Sequence, residues 1–166
     1  MKKSFLTIYA ILFICLFSGC GNKKDVLPEL DGISLSETYI NYVKALQDKG
    51  FRTINASSDK TTLEGKFKNY GDCLYIINNR ADGAVGKITM ALGHPLKNFD
   101  VAQAGYKILE TEMVQMIGVP AVELGAMQDH IIQSAIVKSD KLEANIAIEK
   151  YNIPDTYVLM CYIYCD

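Results

Sequence analysis

Helices packed on one face of an antiparallel sheet, an α+β fold, are what this 166-residue sequence predicts. Two segments carry helical apolar spacing, and each is closed by a glycine. Each is then followed by stretches in which apolar and polar residues alternate at the period of a half-buried strand. Consecutive strands without intervening helices disfavour a parallel βαβ arrangement, which places a helix between successive strands. The expected architecture is two helix-plus-three-strand units forming an antiparallel sheet with the helices on one face. The units span residues 31–93 and 98–166 of a single α+β domain, 31–166.

The first helix is expected over 34–50. Ser34 with Glu37 three residues on reads as a capping box, and Gly50 supplies the left-handed stop. Leu35, Tyr39, Val43 and Leu46 form one apolar stripe, with Glu37, Lys44 and Asp48 away from it. The period then changes to two. Leu63, Gly65 and Phe67 alternate with charged residues, 73–77 is a more apolar strand, and 78–83 carries turn chemistry. The run 85–92 returns with Ile88, Met90 and Leu92 on one side and Lys87 and Thr89 on the other.

Residues 93–98 break the pattern, and a second helix is expected from Asp100, an N-cap residue, to Gly118. Val101, Ala104, Ile108, Met113, Met116 and Ile117 supply its apolar side. Residues 121–129 fit a short helix, a loop or an edge strand. Strands are expected at 131–137, at 142–148 where Leu142, Ala144, Ile146 and Ile148 alternate, and at 157–165 after a turn through Pro154.

Ahead of this domain, Lys2 and Lys3 precede about 13 apolar residues, the length of a signal-peptide core and short of the roughly 20 needed to span a bilayer. Leu16-Phe17-Ser18-Gly19-Cys20 resembles the lipobox of bacterial lipoproteins, with Phe17 where Leu is usual. The resemblance implies a signal peptide over 1–19, a lipidated tether over 20–30, and a diacylglycerol thioether with an N-acyl chain on Cys20. At roughly 0.8 kcal/mol per buried CH₂, several acyl chains make a lasting anchor. Gly21 stands where an Asp would hold such a protein in the inner membrane, so the expected location is the cell envelope, at the outer membrane.

Two of the 17 basic side chains, Lys2 and Lys3, lie in the leader, so 15 face 19 acidic ones and the processed chain carries a net charge of −4. Scattered Lys and Arg in an acidic chain argue against a nucleic-acid partner. The layout of leader, glycine-closed helix and strand meander, with Ile117-Gly118-Val119-Pro120 at the exit of the second helix, resembles small envelope lipoproteins of the SmpA/OmlA type. It is also similar to β-lactamase-inhibitor-protein-like domains and to lipoproteins of Bacteroides-like bacteria. One long first helix replaces the helix pair usual in the SmpA/OmlA pattern. The resemblance implies an uncovered sheet face that binds another envelope protein, without catalysis.

Three cysteines remain after Cys20. Cys161 and Cys165 lie on one face of one strand about 13 Å apart, too far to bridge. A disulfide would join Cys73 to Cys161 or to Cys165; otherwise the three are buried as small apolar residues. No C-x-x-C pair or ligand spacing around His94 and His130 supports a metal, and Gly83-Ala84-Val85-Gly86 lacks the Lys-Ser/Thr of a phosphate loop, so no cofactor is expected. An envelope hydrolase with a site near His94, in the loop before Pro95, or His130, opening a strand, is the alternative function.

The residues favoured for partner binding lie in the last strand. If Leu159, Cys161 and Ile163 face the helices, then Val158, Met160, Tyr162 and Tyr164 point the other way, beside Glu143, Asn145, Lys66, Lys87 and Thr89. A Tyr and Met cluster ringed by charge composes a protein-binding face or covers a half-exposed sheet. The anchor has a direct test. Cys20→Ala protein is expected to leave the membrane fraction for the soluble one, and sedimentation with membranes unchanged would discard the lipobox reading.

Overall fold

The structure, a computed structural model, describes residues 26–126 and 129–166, with Asn69 and His94 described by backbone alone. Cys20 and the leader lie outside the described residues. The first hairpin joins β1 (Glu29–Leu30) to β2 (Ile33–Ser34) through Asp31 and Gly32. Both turn residues have positive φ, 54° and 69°, as a type I′ turn requires. Leu30 and Ile33 are buried, so the end of the expected tether belongs to the fold.

Helix α1 (Tyr39–Asp48) starts later than the Ser34/Glu37 pattern suggests. Ser34 is occupied in β2, and the cap is Thr38, whose hydroxyl accepts from the Asn41 N–H at 3.3 Å. Tyr39, Tyr42 and Leu46 are the buried side of α1. The chain then runs through β3 (Arg52–Ala56), β4 (Lys60–Lys66), a 3-10 turn (Lys68–Tyr70), β5 (Asp72–Asn79) and β6 (Val85–Leu96). Helix α2 (Phe99–Ile117) is capped by Asn98, whose Oδ1 accepts from Asp100 N–H at 2.7 Å, and ends at left-handed Gly118. The remaining strands are β7 (Val122–Glu123), β8 (Ile131–Lys138), β9 (Leu142–Lys150) and β10 (Tyr157–Cys165).

Eight strands form one antiparallel sheet in the order β3-β4-β5-β6-β10-β9-β8-β7. Each helix is therefore followed by four strands rather than three. The expectation of three-strand units missed β3, whose five residues are all exposed and carry no apolar alternation, and the two-residue β7, which lies within the ambiguous 121–129. The last strand of each half, β6 and β10, pair with each other at the centre. β6 also continues beyond the expected break. Gly93 takes φ of +60°, and the register slips there, with Tyr157 opposite Leu96 but Leu159 opposite Leu92.

Paired residues share a face, which places both helices on the same side. Cys73 and Leu159 flank Leu92, and Leu159 lies opposite Ile148. α1 covers β5, and α2 covers β9, β10, β8 and β6. The core between layers holds Leu46, Leu63, Phe67, Tyr75, Ile88, Met90, Leu109, Ile146, Cys161 and Ile163, all fully buried. Each such aliphatic side chain contributes on the order of 1.5–3 kcal/mol. Phe51 lies flat on the Gly65 backbone, where a Cβ would fall 2.5 Å from its ring, and meets Tyr75 edge-on at 5.1 Å. Only glycine permits that approach.

On α2 the buried residues are Ala102, Tyr106, Leu109 and Met113. Of the expected apolar side only Met113 is buried, while Val101 and Ile108 are 54% and 56% exposed. The helix carries two apolar stripes, and the sheet takes the one with Tyr106 and Leu109. Among the described residues no helix is long and apolar enough to cross a membrane.

Of the two readings of the cysteines, a Cys73 bridge or burial as small apolar residues, the structure has the second. Cys73, Cys161 and Cys165 are free and buried. Cys73 lies on β5 and the other two on β10, with β6 between. Two strand spacings put them about 10 Å apart or more, beyond the roughly 7 Å Cα separation a bridge tolerates. Burial pushes the Cys161 thiol up to about 12 and the Cys165 thiol to about 11. Native protein is expected to react with iodoacetamide at pH 8 at least ~100-fold more slowly than denatured protein, because little thiolate is present and access is closed. Failure of two of these cysteines to label in denaturant without reductant would mean that they are bridged.

Candidate functional site

The sheet face opposite the helices carries the residues predicted for partner binding. β10 alternates cleanly. Leu159, Cys161, Ile163 and Cys165 enter the core, while Met160 and Tyr162 are half-buried and Tyr164 is 36% exposed on the open side. Val158, expected on this face as well, is buried where the register slips against β6.

The register defines rows across the face. Tyr162 stands between Thr89 of β6 and Asn145 of β9, and Tyr164 between Lys87 and Glu143. Met160 stands between Ala91 and Ala147, both buried despite facing away from the helices. Continued outward, the Tyr162 row adds Ile76 and Thr62 on one side and Ile136 and Val122 on the other. Lys66, expected beside the tyrosines, is on β4 with β5 and β6 between it and β10.

Neighbouring charges hold the aromatic pair. Lys87 Nζ lies 4.7 Å from the Tyr164 ring centroid and 5.1 Å from that of Tyr162, within cation–π range of both. The Tyr162 hydroxyl donates to Glu149 Oε1 at 2.9 Å. Burial first, and then that bond to a carboxylate, raise the Tyr162 phenol well above its ordinary value, so it stays a donor at neutral pH. Glu149 lies diagonally across the face from Tyr162, so the phenol reaches past buried Ala147, which lies between them. Glu143 accepts from Lys138 Nζ at 2.6 Å and from Asn145 Nδ2 at 2.9 Å. The face thus presents half-exposed rings whose orientation is set before any partner arrives, with two carboxylates and two ammonium groups at their margin. Such an array can bury aromatic surface at low entropic cost, since two χ angles define each ring.

The histidines of the alternative function are not brought together. His94 lies within β6, which runs on to Leu96, rather than in a loop. His130 is exposed in the turn before β8, its carbonyl accepting from Lys150 N–H at 2.7 Å. β10 and β9 lie between these positions, about 14 Å of sheet. Among the described residues no three His, Cys, Asp or Glu side chains are grouped to hold a metal ion.

Strand alternation placed Met160, Tyr162 and Tyr164 on one face, but Glu149 was missed. Its link to Tyr162 is diagonal, and only the register reveals it. The chain matches no family model, no curated protein and no solved structure.

The Glu143 cluster yields a pH prediction. The Lys138 ammonium, followed by the Asn145 amide, holds the Glu143 carboxyl below its ordinary value. A depressed folded-state pKa gives stability that is present above the unfolded value, near 4.3, and lost as pH falls through the folded one. Glu143→Gln is expected to cost under about 1 kcal/mol at pH 7, because Lys138 is largely exposed. The difference from the parent should begin to shrink as pH falls below the unfolded value and vanish only below the depressed folded-state one. Urea unfolding of both proteins at neutral and acid pH checks this, and a difference independent of pH would discard it.

Proposed function

We propose that this chain is a lipid-anchored bacterial envelope protein, tethered through Cys20, whose α+β domain acts as a non-catalytic module binding an envelope protein through the open sheet face. One observation carries the proposal. Tyr162 and Tyr164 stand side by side, partly exposed, with Lys87 over both rings and Glu149 on the Tyr162 hydroxyl. Surface tyrosines held this way suit a hot spot, where rigid aromatic anchors supply most of the binding free energy. Met160 extends the apolar centre, and the Lys138–Glu143 pair supplies a polar rim.

The likeness to SmpA/OmlA-type and β-lactamase-inhibitor-protein-like lipoproteins belongs to the same proposal. It is supported by the matching order of the halves, each a helix and four strands, joined through their last strands. The outer-membrane location rests on Gly21 after Cys20. Nothing in the placement of His94 and His130 favours the hydrolase reading.

The test is capture in the native envelope by a photo-crosslinker at Thr89, which lies between Tyr162 and Ile76 of β5. One protein is expected to be captured, and Tyr162→Ala or Tyr164→Ala should each weaken its binding by about tenfold or more. Both rings are partly exposed, so folding should survive, as far-UV circular dichroism checks. Capture unchanged in the folded double substitution would remove the tyrosine face from the proposal.

A further inference from the structure

The chain enters the domain at one end of the sheet. Leu27 N–H donates to Ser36 Oγ at 2.7 Å and Leu35 N–H to Pro28 O at 3.0 Å, which ties the segment after Val26 to the approach of α1. α1 in turn starts against the β5–β6 turn, with Tyr39 N–H donating to Gly83 O at 2.9 Å and Thr38 bridged to Ala84. On its other side Val26 borders a cleft with Ile117, at the end of α2, and Asp140, in the β8–β9 turn. The register brings the rest of this end together. Lys60, Asn78, Lys87, Tyr164, Glu143 and Lys138 form one row across the sheet, and the β3–β4, β5–β6 and β8–β9 turns and the end of β10 all lie just beyond it.

Chain length limits how far this end can stand from an anchor. Only the steps from Cys20 to Val26 separate them, a reach of at most about 20 Å when fully extended. β10 alone runs about 26 Å from Tyr157 to Cys165. A tether this short leaves the domain either standing on its entry end or lying on a side. Exposed aliphatic side chains favour the first. Among the described residues Val26 and Ile40 are the most exposed large apolar side chains, at 75% and 73%. Both belong to this end, Val26 where the chain enters and Ile40 in the first turn of α1. Such side chains gain by leaving water for a lipid interface. Charge does not draw this end to anionic lipid, since Asp59, Asp82, Asp140 and Asp166 outnumber Arg80 and Lys141 in its turns and last residue. We propose, resting on the lipid anchor at Cys20, that this end of the domain apposes the bilayer, with Val26 and Ile40 at the lipid interface and the tyrosine face clear of lipid. A partner then approaches that face from the side and meets Lys87 and Tyr164 in the row nearest the membrane.

The probe is a phosphatidylcholine vesicle with a nitroxide on its headgroups, into which the full chain, exported and lipidated, is reconstituted. Bimane is carried in turn by Ser58→Cys, Asp140→Cys, Thr62→Cys and Asn152→Cys proteins, the native thiols of the domain being buried. Quenching at Ser58→Cys and Asp140→Cys is expected to exceed that at Asn152→Cys, in the far β9–β10 turn, by at least about twofold, because the length of a strand separates the two ends. Thr62→Cys, on the open face, should fall between them. Val26→Ser together with Ile40→Ser should lower the quenching at Asp140→Cys by about half. Both side chains are exposed, so the melting temperature should not move. Flotation with the vesicles reports the anchor separately. Protein that fails to float overturns the anchor reading and this proposal with it. Protein that floats but is quenched as strongly at Asn152→Cys or Thr62→Cys as at Asp140→Cys keeps its anchor and overturns the proposed contact. Quenching unmoved by the folded double substitution overturns it equally.

Discussion

The pairing of β6 with β10 is the contact on which the rest of the structure depends. It joins Ile88 to Ile163 and Met90 to Cys161, residues more than seventy positions apart, across the middle of an eight-stranded sheet. All other neighbouring strands of the sheet are close in sequence, connected by turns or short loops. Without this one seam each half would be a four-stranded sheet with an apolar inner edge and one helix. Long-range pairings of this kind carry a loop-closure cost before they return any burial. Here the return is the fully buried centre of the core, Ile88, Met90, Cys161 and Ile163.

Because the seam places the last strand of each half side by side, it also composes the open face. Lys87 and Thr89 come from the first half, Tyr162 and Tyr164 from the end of the second, and Glu143 and Glu149 from β9. The cation that holds both rings reaches them only across this seam. The interaction that closes the core and the one that orients the aromatic pair are thus two faces of the same strand pairing, because side chains alternate across a strand. A change that shifted its register by one residue would exchange the tyrosines with Cys161 and Ile163.

Not every polar group is accommodated as well. The hydroxyls of Tyr42 and Tyr75 are buried without partners among the described residues, and burial is the main reason that their phenols are raised. The buried Tyr39 hydroxyl, in contrast, has Thr61 Oγ1 at 2.6 Å. Large aromatic rings fill the space under α1, where a chain without tryptophan uses tyrosine and phenylalanine. At Tyr42 and Tyr75 packing the ring outweighs satisfying its oxygen, since ring burial is worth several times the net contribution of one hydrogen bond.

By itself the sequence determined the α+β class, two helices, most of the strands, and the face to which each residue of β10 turns, because period and alternation are local properties. Met160, Tyr162 and Tyr164 were legible for that reason. The tertiary structure alone decided where α1 starts, since Ser34 is drawn into a hairpin and Thr38 takes over as the cap. It also decided that β3, with no apolar alternation, is a strand at all, because pairing with β4 makes it one. Likewise Cys73 is kept from Cys161 by an intervening strand, which spacing along the chain does not reveal. The choice between the two apolar stripes of α2 went to Tyr106 and Leu109, leaving Ile108 and Gly105 to line a pocket. Either stripe satisfies the helical period, and only the surface offered by the assembled sheet distinguishes them.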